Sequence, residues 1–359
     1  MNADFLSHED AAQLNRNRVL QYIKSNGYVS RTDIWNNLNI SRASVTQIIR
    51  QLQESALITE TEQEPSSKRT FRYLCFNKNA RYLYVFDWNT QGLCFANVGG
   101  EVLLRLELKF PSGCLPQTFA DIVLAGLAKL SRLHSVDDSL ILGLGIIMPG
   151  LIDSREATVL YSVELGWRNV NIESLFSAKL GMNVFLERTG NMIALGECFF
   201  GAGQAAQHAM LILLENEGIG LSTVVHGDCQ HGSNCMYGEL GHIKLPSTVV
   251  CSCGQQGCLE AVVIDCLRRN DGRITNELLD YISFGVAAAV NISDPKVLLL
   301  AGRIARTLTE AQRTYLSDCI RNKITNERAR DFSIRICEEE NGIAIRGMAA
   351  YVFRKCFPT

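Results

Sequence analysis

The sequence predicts an α/β protein with a winged helix-turn-helix at its N-terminal end. Three observations lead there. Three short, well-capped helical segments and a basic hairpin occupy the first part of the chain. From about residue 80, apolar strands alternate with longer helical stretches. Hydrophobic residues make up 47% of the 359 residues and charged residues 20%, the balance of a chain that buries a core rather than a disordered one. At 39.8 kDa it exceeds one ordinary core, and the change of texture suggests two domains, residues 1–78 and 79–359.

In the first domain Val19, Leu20 and Ile23 share a helical face, and Asn26-Gly27 is a stop signal, so residues 15–25 read as a helix. Ser30-Arg31-Thr32-Asp33 matches a capping box, in which Ser30 accepts from a free backbone N–H and Asp33 reaches back. The second helix starts there, carries Ile34, Trp35 and Leu38, and ends at Asn39-Ile40. Ser41 is a good N-cap for a third helix. In that helix Val45, Ile48, Ile49 and Leu52 form one apolar stripe. Leu57 to Thr59 and Thr70 to Phe76 read as two strands around the turn-forming Pro65 to Arg69.

The spacing is that of a helix-turn-helix whose later helix enters a DNA major groove. Candidate DNA contacts are Arg31 and Thr32 on the second helix, Ser41, Arg42, Ala43, Ser44, Thr46, Gln47 and Arg50 at the third, and Lys68 and Arg69 in the wing. From Leu14 to Ile58 there are six Arg or Lys against two acids, although the whole chain carries a net charge of -2. The basic face is therefore local.

In the second domain Tyr82–Phe86, Leu93–Val98 and Val102–Phe110 read as successive antiparallel strands, with a helix around Phe119–Leu130 leading into the strand Leu140–Met148. Strands follow at Val184–Leu186, Ala209–Leu214, Leu221–Val225 and Val297–Leu300, with a helix at Asn191–Phe200 and a further apolar stretch at Leu278–Ile292. Leu140–Met148 is too short to span a bilayer and runs into Pro149-Gly150, and the first residues lack the features of a secretory leader. Thirteen cysteines form an odd, scattered set that fits a reducing compartment. A cytoplasmic protein with no membrane partner is expected.

The sharpest chemical signal lies in GELGHIKLPSTVVCSCGQQGCLE, residues 238–260. His242, Cys251, Cys253 and Cys258 give H-x8-C-x-C-x4-C, and Gly254 and Gly257 let the chain wrap tightly. Three thiolates and an imidazole suit tetrahedral zinc, and a closed shell leaves no position for a reactive water, so the zinc would be structural.

This stretch resembles the signature of the ROK family, which groups bacterial sugar kinases with transcriptional repressors of sugar metabolism. The resemblance extends along the chain: LGLGIIMPGLID (142–153) is similar to the family's G-x-G-x-x-x-P-G loop, Gly166-Trp167 and ALGECFFGAG (194–203) fit later segments, and the winged helix resembles the domain the repressors add. It implies a two-lobed, ribonuclease-H/actin-like α/β domain with a sugar cleft between lobes, in a homodimer or larger oligomer such as a homotetramer. It also implies sugar-facing positions at Pro149, Gly150, Glu239, His242 and Glu260.

The departures bear on function. Where family kinases carry an Asn-Asp pair whose Asp is the general base, this chain has Arg188-Thr189. Arg is permanently protonated and a Thr hydroxyl is a very weak base. In place of the family's glycine-rich phosphate loop stands Asp87-Trp88-Asn89-Thr90-Gln91, Glu217 puts an acid in a second phosphate turn, and only part of a Gly-Gly adenosine contact survives at Ala301-Gly302. The expectation is a non-catalytic regulator that binds double-stranded operator DNA. Its ROK domain would sense a sugar at a site including Arg188 and Thr189, or a protein signal. An ATP-dependent sugar kinase is the alternative.

Overall fold

The computed structural model describes residues 8–62, 72–177, 179–204, 206–326, 328, 330–338 and 342–358. It opens with α1 (His8–Asn26), α2 (Arg31–Leu38) and α3 (Arg42–Glu54), followed by the antiparallel hairpin β1 (Ile58–Thr61) and β2 (Tyr73–Phe76), registered with Ile58 opposite Phe76. This is the winged helix. The α2 capping box forms as the sequence predicts: the Asp33 N–H donates to Ser30 Oγ, and the Ser30 N–H donates to the Asp33 carboxylate at 2.9 Å. Both donors would otherwise be orphaned in the first turn. Asn39 closes α2 at φ 54°, a left-handed conformation that Asn adopts more readily than most residues. Ser41 then caps α3 by accepting from the Ser44 N–H at 3.2 Å.

The first helix is longer than the apolar periodicity predicts, because good helix formers such as Ala12 and Leu14 extend it upstream of the buried stripe. The second wing strand is described as Tyr73–Phe76, and Thr70 and Phe71, where the sequence predicts its start, lie outside the described residues. Val19, Leu20, Ile23, Ile34, Val45, Ile49, Leu52, Leu57 and Leu74 bury together, and Phe353 from the C-terminal helix joins them.

Beyond the hairpin the chain runs through β3 (Tyr82–Asp87), β4 (Gly92–Asn97), β5 (Val102–Glu107), α4 (Pro116–Leu130), β6 (Ile141–Met148), β7 (Leu151–Asp153), β8 (Thr158–Ser162), β9 (Trp167–Asn171), α5 (Ile172–Phe176), β10 (Val184–Arg188) and α6 (Thr189–Phe200). It continues with β11 (His208–Leu214), β12 (Ile219–Val225), β13 (Asp228–Cys229), α7 (Leu259–Arg269), α8 (Asn276–Ser293), β14 (Val297–Ala301), α9 (Arg303–Thr307), α10 (Glu310–Arg321), β15 (Ser333–Ile336) and α11 (Ile343–Cys356). The chain divides into two compact units, one of residues 1–146, 171–185 and 348–359 and the other of residues 147–170 and 186–347.

The first unit holds the winged helix and the meander β3-β4-β5, in a sheet ordered β10-β6-β3-β4-β5. Helix α4 packs on β4 and β5. Gly126 permits that approach, since a Cβ there would lie 2.9 Å from Leu93. The second unit holds the sheet β13-β12-β11-β14-β15, antiparallel between β11 and β12 and parallel through β11, β14 and β15. Its core joins Met210, Ile212, Leu298 and Leu300 of that sheet to Leu279, Ile282, Val286 and Val290 of α8. A three-stranded sheet β7-β8-β9 completes the inventory. Among the described residues, no helix is long and apolar enough to cross a membrane.

Candidate nucleic-acid interface and metal centre

The apolar stripe of α3 faces the winged-helix core, and this leaves its other faces in solvent. Val45, Ile48, Ile49 and Leu52 are buried, while Ser41, Arg42, Ala43, Ser44, Thr46, Gln47 and Arg50 are all exposed. Local bonds order several of them. The Arg42 guanidinium lies 4.3 Å from the centre of the Trp35 ring, a cation-π contact between α2 and α3. Thr46 Oγ1 donates to the Arg42 carbonyl at 2.9 Å, and Ser41 and Ser44 share a hydroxyl bond at 2.8 Å. Arg50 pairs with Glu54 at 2.8 Å, a fully solvated i,i+4 bridge that leaves the arginine able to exchange partners. On α2, Thr32 is exposed and Arg31 lies 3.6 Å from Glu60 in the wing strand β1. Lys68 and Arg69 lie outside the described residues.

The second unit brings the four metal-ligating candidates together. One donor atom from each of His242, Cys251, Cys253 and Cys258 lies within 4.8 Å of all the others. Cys253 Sγ is 3.7 Å from Cys258 Sγ, and Cys251 Sγ is 3.8 Å from His242 Nδ1. A tetrahedral ion with metal–sulfur bonds of about 2.3 Å and metal–nitrogen bonds of about 2.0 Å sets its ligand atoms about 3.6–3.8 Å apart. The donor set therefore fits one metal ion. The surrounding groups fit as well. His242 Nε2 lies 3.6 Å from the Glu239 carboxylate, the partner that would fix the ring with Nδ1 turned to the metal. Lys244 Nζ donates to Cys258 Sγ at 3.0 Å, offsetting thiolate charge. Gly257, at φ 74°, has no room for a side chain, since a Cβ would sit 2.5 Å from the Leu245 carbonyl.

The residues aligned with sugar contacts are all in this unit. Gly150 is exposed at φ 111°, and a Cβ there would meet the Tyr161 carbonyl at 2.4 Å; Pro149 before it is half-buried. The Glu260 carboxylate accepts from the Ile219 N–H at 3.1 Å, tying α7 to the start of β12. Gly241 packs against Glu260, and Gly238 packs against Arg188. Arg188 Nη2 donates to the carbonyls of Tyr237 (2.8 Å) and Leu221 (3.3 Å), so it braces the turn that carries Glu239. Thr189 is buried at the first position of α6.

Sequence reasoning overlooked the residues that support this arrangement. Glu187 is fully buried and accepts from Asn191 Nδ2 at 3.0 Å and from the Arg188 N–H at 2.8 Å. His231 Nε2 is 2.5 Å from its other oxygen. An acid in an otherwise apolar strand is the signal that could have found it.

The turn at residues 87–91, expected to stand in place of a phosphate loop, is filled by its own side chains. Asp87 Oδ1 accepts from the Asn89 N–H at 3.1 Å and Oδ2 accepts from Thr90 Oγ1 at 3.0 Å, so the carboxylate is engaged within its own turn. Burial pushes the Asp87 carboxyl above its ordinary range. Trp88 packs its ring among Phe86, Phe110 and Phe119. The Trp88 indole thus packs this turn against an aromatic cluster.

A winged helix, an α/β body of two units and a Cys/His cluster in the second unit define a helix-turn-helix protein of the α/β class. Residues 94–266 match the family model described as ROK family, and the chain carries a ROK family domain. It is 26% identical over 322 residues to a xylose repressor of Bacillus spizizenii, covering 81% of this chain and 83% of that one. It is 25% identical over 342 residues to the DNA-binding transcriptional dual regulator NagC of Escherichia coli K12, covering 85% and 83%. A solved ROK family transcriptional regulator, described as a homolog of the E. coli MLC protein, superposes with TM-score 0.76 at 23% identity. That superposition covers 97% of this chain and 100% of the other, and it establishes a common fold that includes the winged helix.

Proposed function

We propose that the protein is a sugar-responsive transcriptional repressor of carbohydrate-metabolism genes, acting in the cytoplasm on double-stranded operator DNA as a homodimer or homotetramer. The observation that carries this reading is the α3 surface, where seven polar or small residues from Ser41 to Arg50 stand exposed over a buried apolar stripe. A helix so presented can lay base-reading side chains in a major groove while Arg31, Lys68 and Arg69 meet phosphates. The names of the relatives support the same reading.

The ROK domain is read as a sensor without catalysis. Phosphoryl transfer needs a base at the sugar hydroxyl and a backbone cradle for the nucleotide phosphates. Arg188 and Thr189 stand at the first position and the Asp87 turn at the second, and neither supplies that chemistry. Pro149, Gly150, Arg188, Thr189, Glu239, His242 and Glu260 are assigned to the effector site, and an effector shifts DNA affinity by its differential affinity for two conformations.

Zinc is assigned to His242, Cys251, Cys253 and Cys258 as a structural ion. When bound it supplies a closed coordination shell that pins the loop. Glu239 orients the imidazole and Lys244 balances the thiolates.

The test is a coupled ATPase assay with a hexose panel beside a retention assay on DNA from upstream of the protein's own gene. Retention without turnover is expected, with release by an effector. Turnover that disappears in Glu239→Gln would instead establish the kinase.

A further inference from the structure

We infer that Cys253 and Cys258 form a peroxide-reactive pair, and that their oxidation to a disulfide opens the metal centre and expels its ion. The inference rests on the zinc assignment above and adds a modification site to it.

The three sulfurs of the cluster are not equally reachable. Cys258 is 0% exposed and Cys251 4%, whereas Cys253 is exposed, in a run from Ser252 to Gln256 in which every residue faces solvent. A Cβ built on the neighbouring Gly254 meets nothing within 4 Å, so the turn that carries Cys253 borders open space. The bonds around the sulfurs differ as well. Cys258 Sγ accepts from Lys244 Nζ at 3.0 Å, and Cys251 Sγ lies 3.8 Å from both His242 Nδ1 and Ser252 Oγ. Among the described residues, Cys253 Sγ takes no nitrogen or oxygen donor, and Cys258 Sγ stands 3.7 Å from it. A donor on a thiolate draws electron density from it and lowers its nucleophilicity, and oxidation follows thiolate character and exposure. Cys253 is therefore the sulfur that an oxidant reaches first, and it has a second thiol beside it to resolve the product.

The oxidant is a hydroperoxide, of which hydrogen peroxide is the simplest. The Cys253 thiolate attacks the O–O bond: an S–O bond forms, the O–O bond breaks, and the departing hydroxide takes a proton to become water. Cys258 then attacks the sulfur of the sulfenic acid. An S–S bond forms, and the oxygen leaves as hydroxide and is protonated to a second water. Two thiolates lose two electrons, and one peroxide with two protons yields two waters. The sulfurs must close only from 3.7 Å to about 2.05 Å, and the exposed turn can yield this without disturbing a core. The disulfide withdraws two of four donors, and His242 and Cys251 alone do not complete a tetrahedral shell. His242 then loses the ion that orders it, and Glu239 loses the imidazole it orients, so oxidation reaches residues assigned to the effector site.

The experiment is treatment of the zinc-loaded full-length protein with excess hydrogen peroxide, with released zinc followed by a chromogenic chelator and disulfides mapped by mass spectrometry of a non-reduced digest. One zinc should leave per disulfide formed, the disulfide should join Cys253 to Cys258, and dithiothreitol with added zinc should restore the centre. Cys253→His keeps four donors for the ion and removes the reactive thiolate, and it should slow release tenfold or more. Amides of residues 240–260 should lose hydrogen-exchange protection on oxidation while those of α1–α3 keep theirs.

Zinc retained while peroxide oxidises other cysteines, zinc release without a Cys253–Cys258 disulfide, or undiminished release in Cys253→His would each overturn the inference. The wild-type disulfide map decides the matter even where that variant fails to hold zinc. Absence of zinc from protein purified under reducing conditions with zinc supplied would instead overturn the zinc assignment, so the two failures are distinguishable.

Discussion

The turn between α2 and α3 and the loop from Gly238 to Glu260 both hold polar side chains in fixed positions, and they do so by different forces. The helix-turn-helix stands on a cluster of sixteen buried residues, and its caps at Ser30 and Ser41 settle the local donors. The loop has a cluster of three, Cys251, Cys258 and Ala261, with Val250 and Cys253 exposed beside it. Apolar burial at about 25 cal/mol per Å² can order the first and not the second. One region is folded by its core, and the other gathers four donor atoms that could hold a metal ion. A sequence can therefore carry a binding surface on hydrophobic periodicity in one place and on cysteine spacing in another.

Removing metal should break the comparison most sharply, because structural zinc contributes on the order of 10 kcal/mol to the segment it folds. Chelation, or Cys258→Ser, should strip hydrogen-exchange protection from residues 240–260 and leave the α1–α3 amides protected. Unchanged loop protection in metal-free protein would show that the loop is ordered without its ion. Ile49→Ala reverses the experiment. It opens a cavity in the winged-helix core, should cost about 2–5 kcal/mol, and should abolish DNA binding while metal content by mass spectrometry stays stoichiometric.

Smaller effects sharpen the account. Ser41→Ala removes the α3 cap and should cost about 1 kcal/mol in a thermal melt. Arg42→Ala should weaken DNA binding and, if Arg42 meets phosphate, lower the slope of log affinity against log salt by about 1; an unchanged slope would make it a base reader.

The smallest expected effect concerns Lys24 of α1, whose Nζ sits 3.9 Å from the centre of the Phe353 ring. Burial, with Arg354 adding repulsion, lowers its pKa from 10.5 to about 7. Between pH 7 and 10.5 the unfolded chain binds the extra proton, so stability should rise with pH across that window. Lys24→Met should flatten the rise, measured as melting temperature at pH 7 and pH 9.

Much of this was legible in the sequence where the determinants are local. The caps at Ser30 and Ser41 and the stripe of α3 are each complete within a few residues, and the Cys/His set within the one segment from His242 to Cys258. The strands β7 to β9 were missed because left-handed residues at Ala157 and Asn169 interrupt any alternation. Helix α10 was missed because it buries only Leu316 and Ile320, although its Thr309/Gln312 capping box was readable. The support of the second unit's site was hidden by distance along the chain. Glu187 meets His231 and Arg188 meets Tyr237 only after folding, and no spacing rule links them. The brace is a property of packing.

The most direct test of the central claim is fluorescence anisotropy of the purified protein against DNA from upstream of its own gene and a scrambled control, across a salt series. Phosphate contacts weaken steeply with salt for both DNAs, whereas base readout preserves a preference. The account predicts a preference of about a thousandfold or more that persists as salt rises. Equal, salt-labile binding to both DNAs would contradict it.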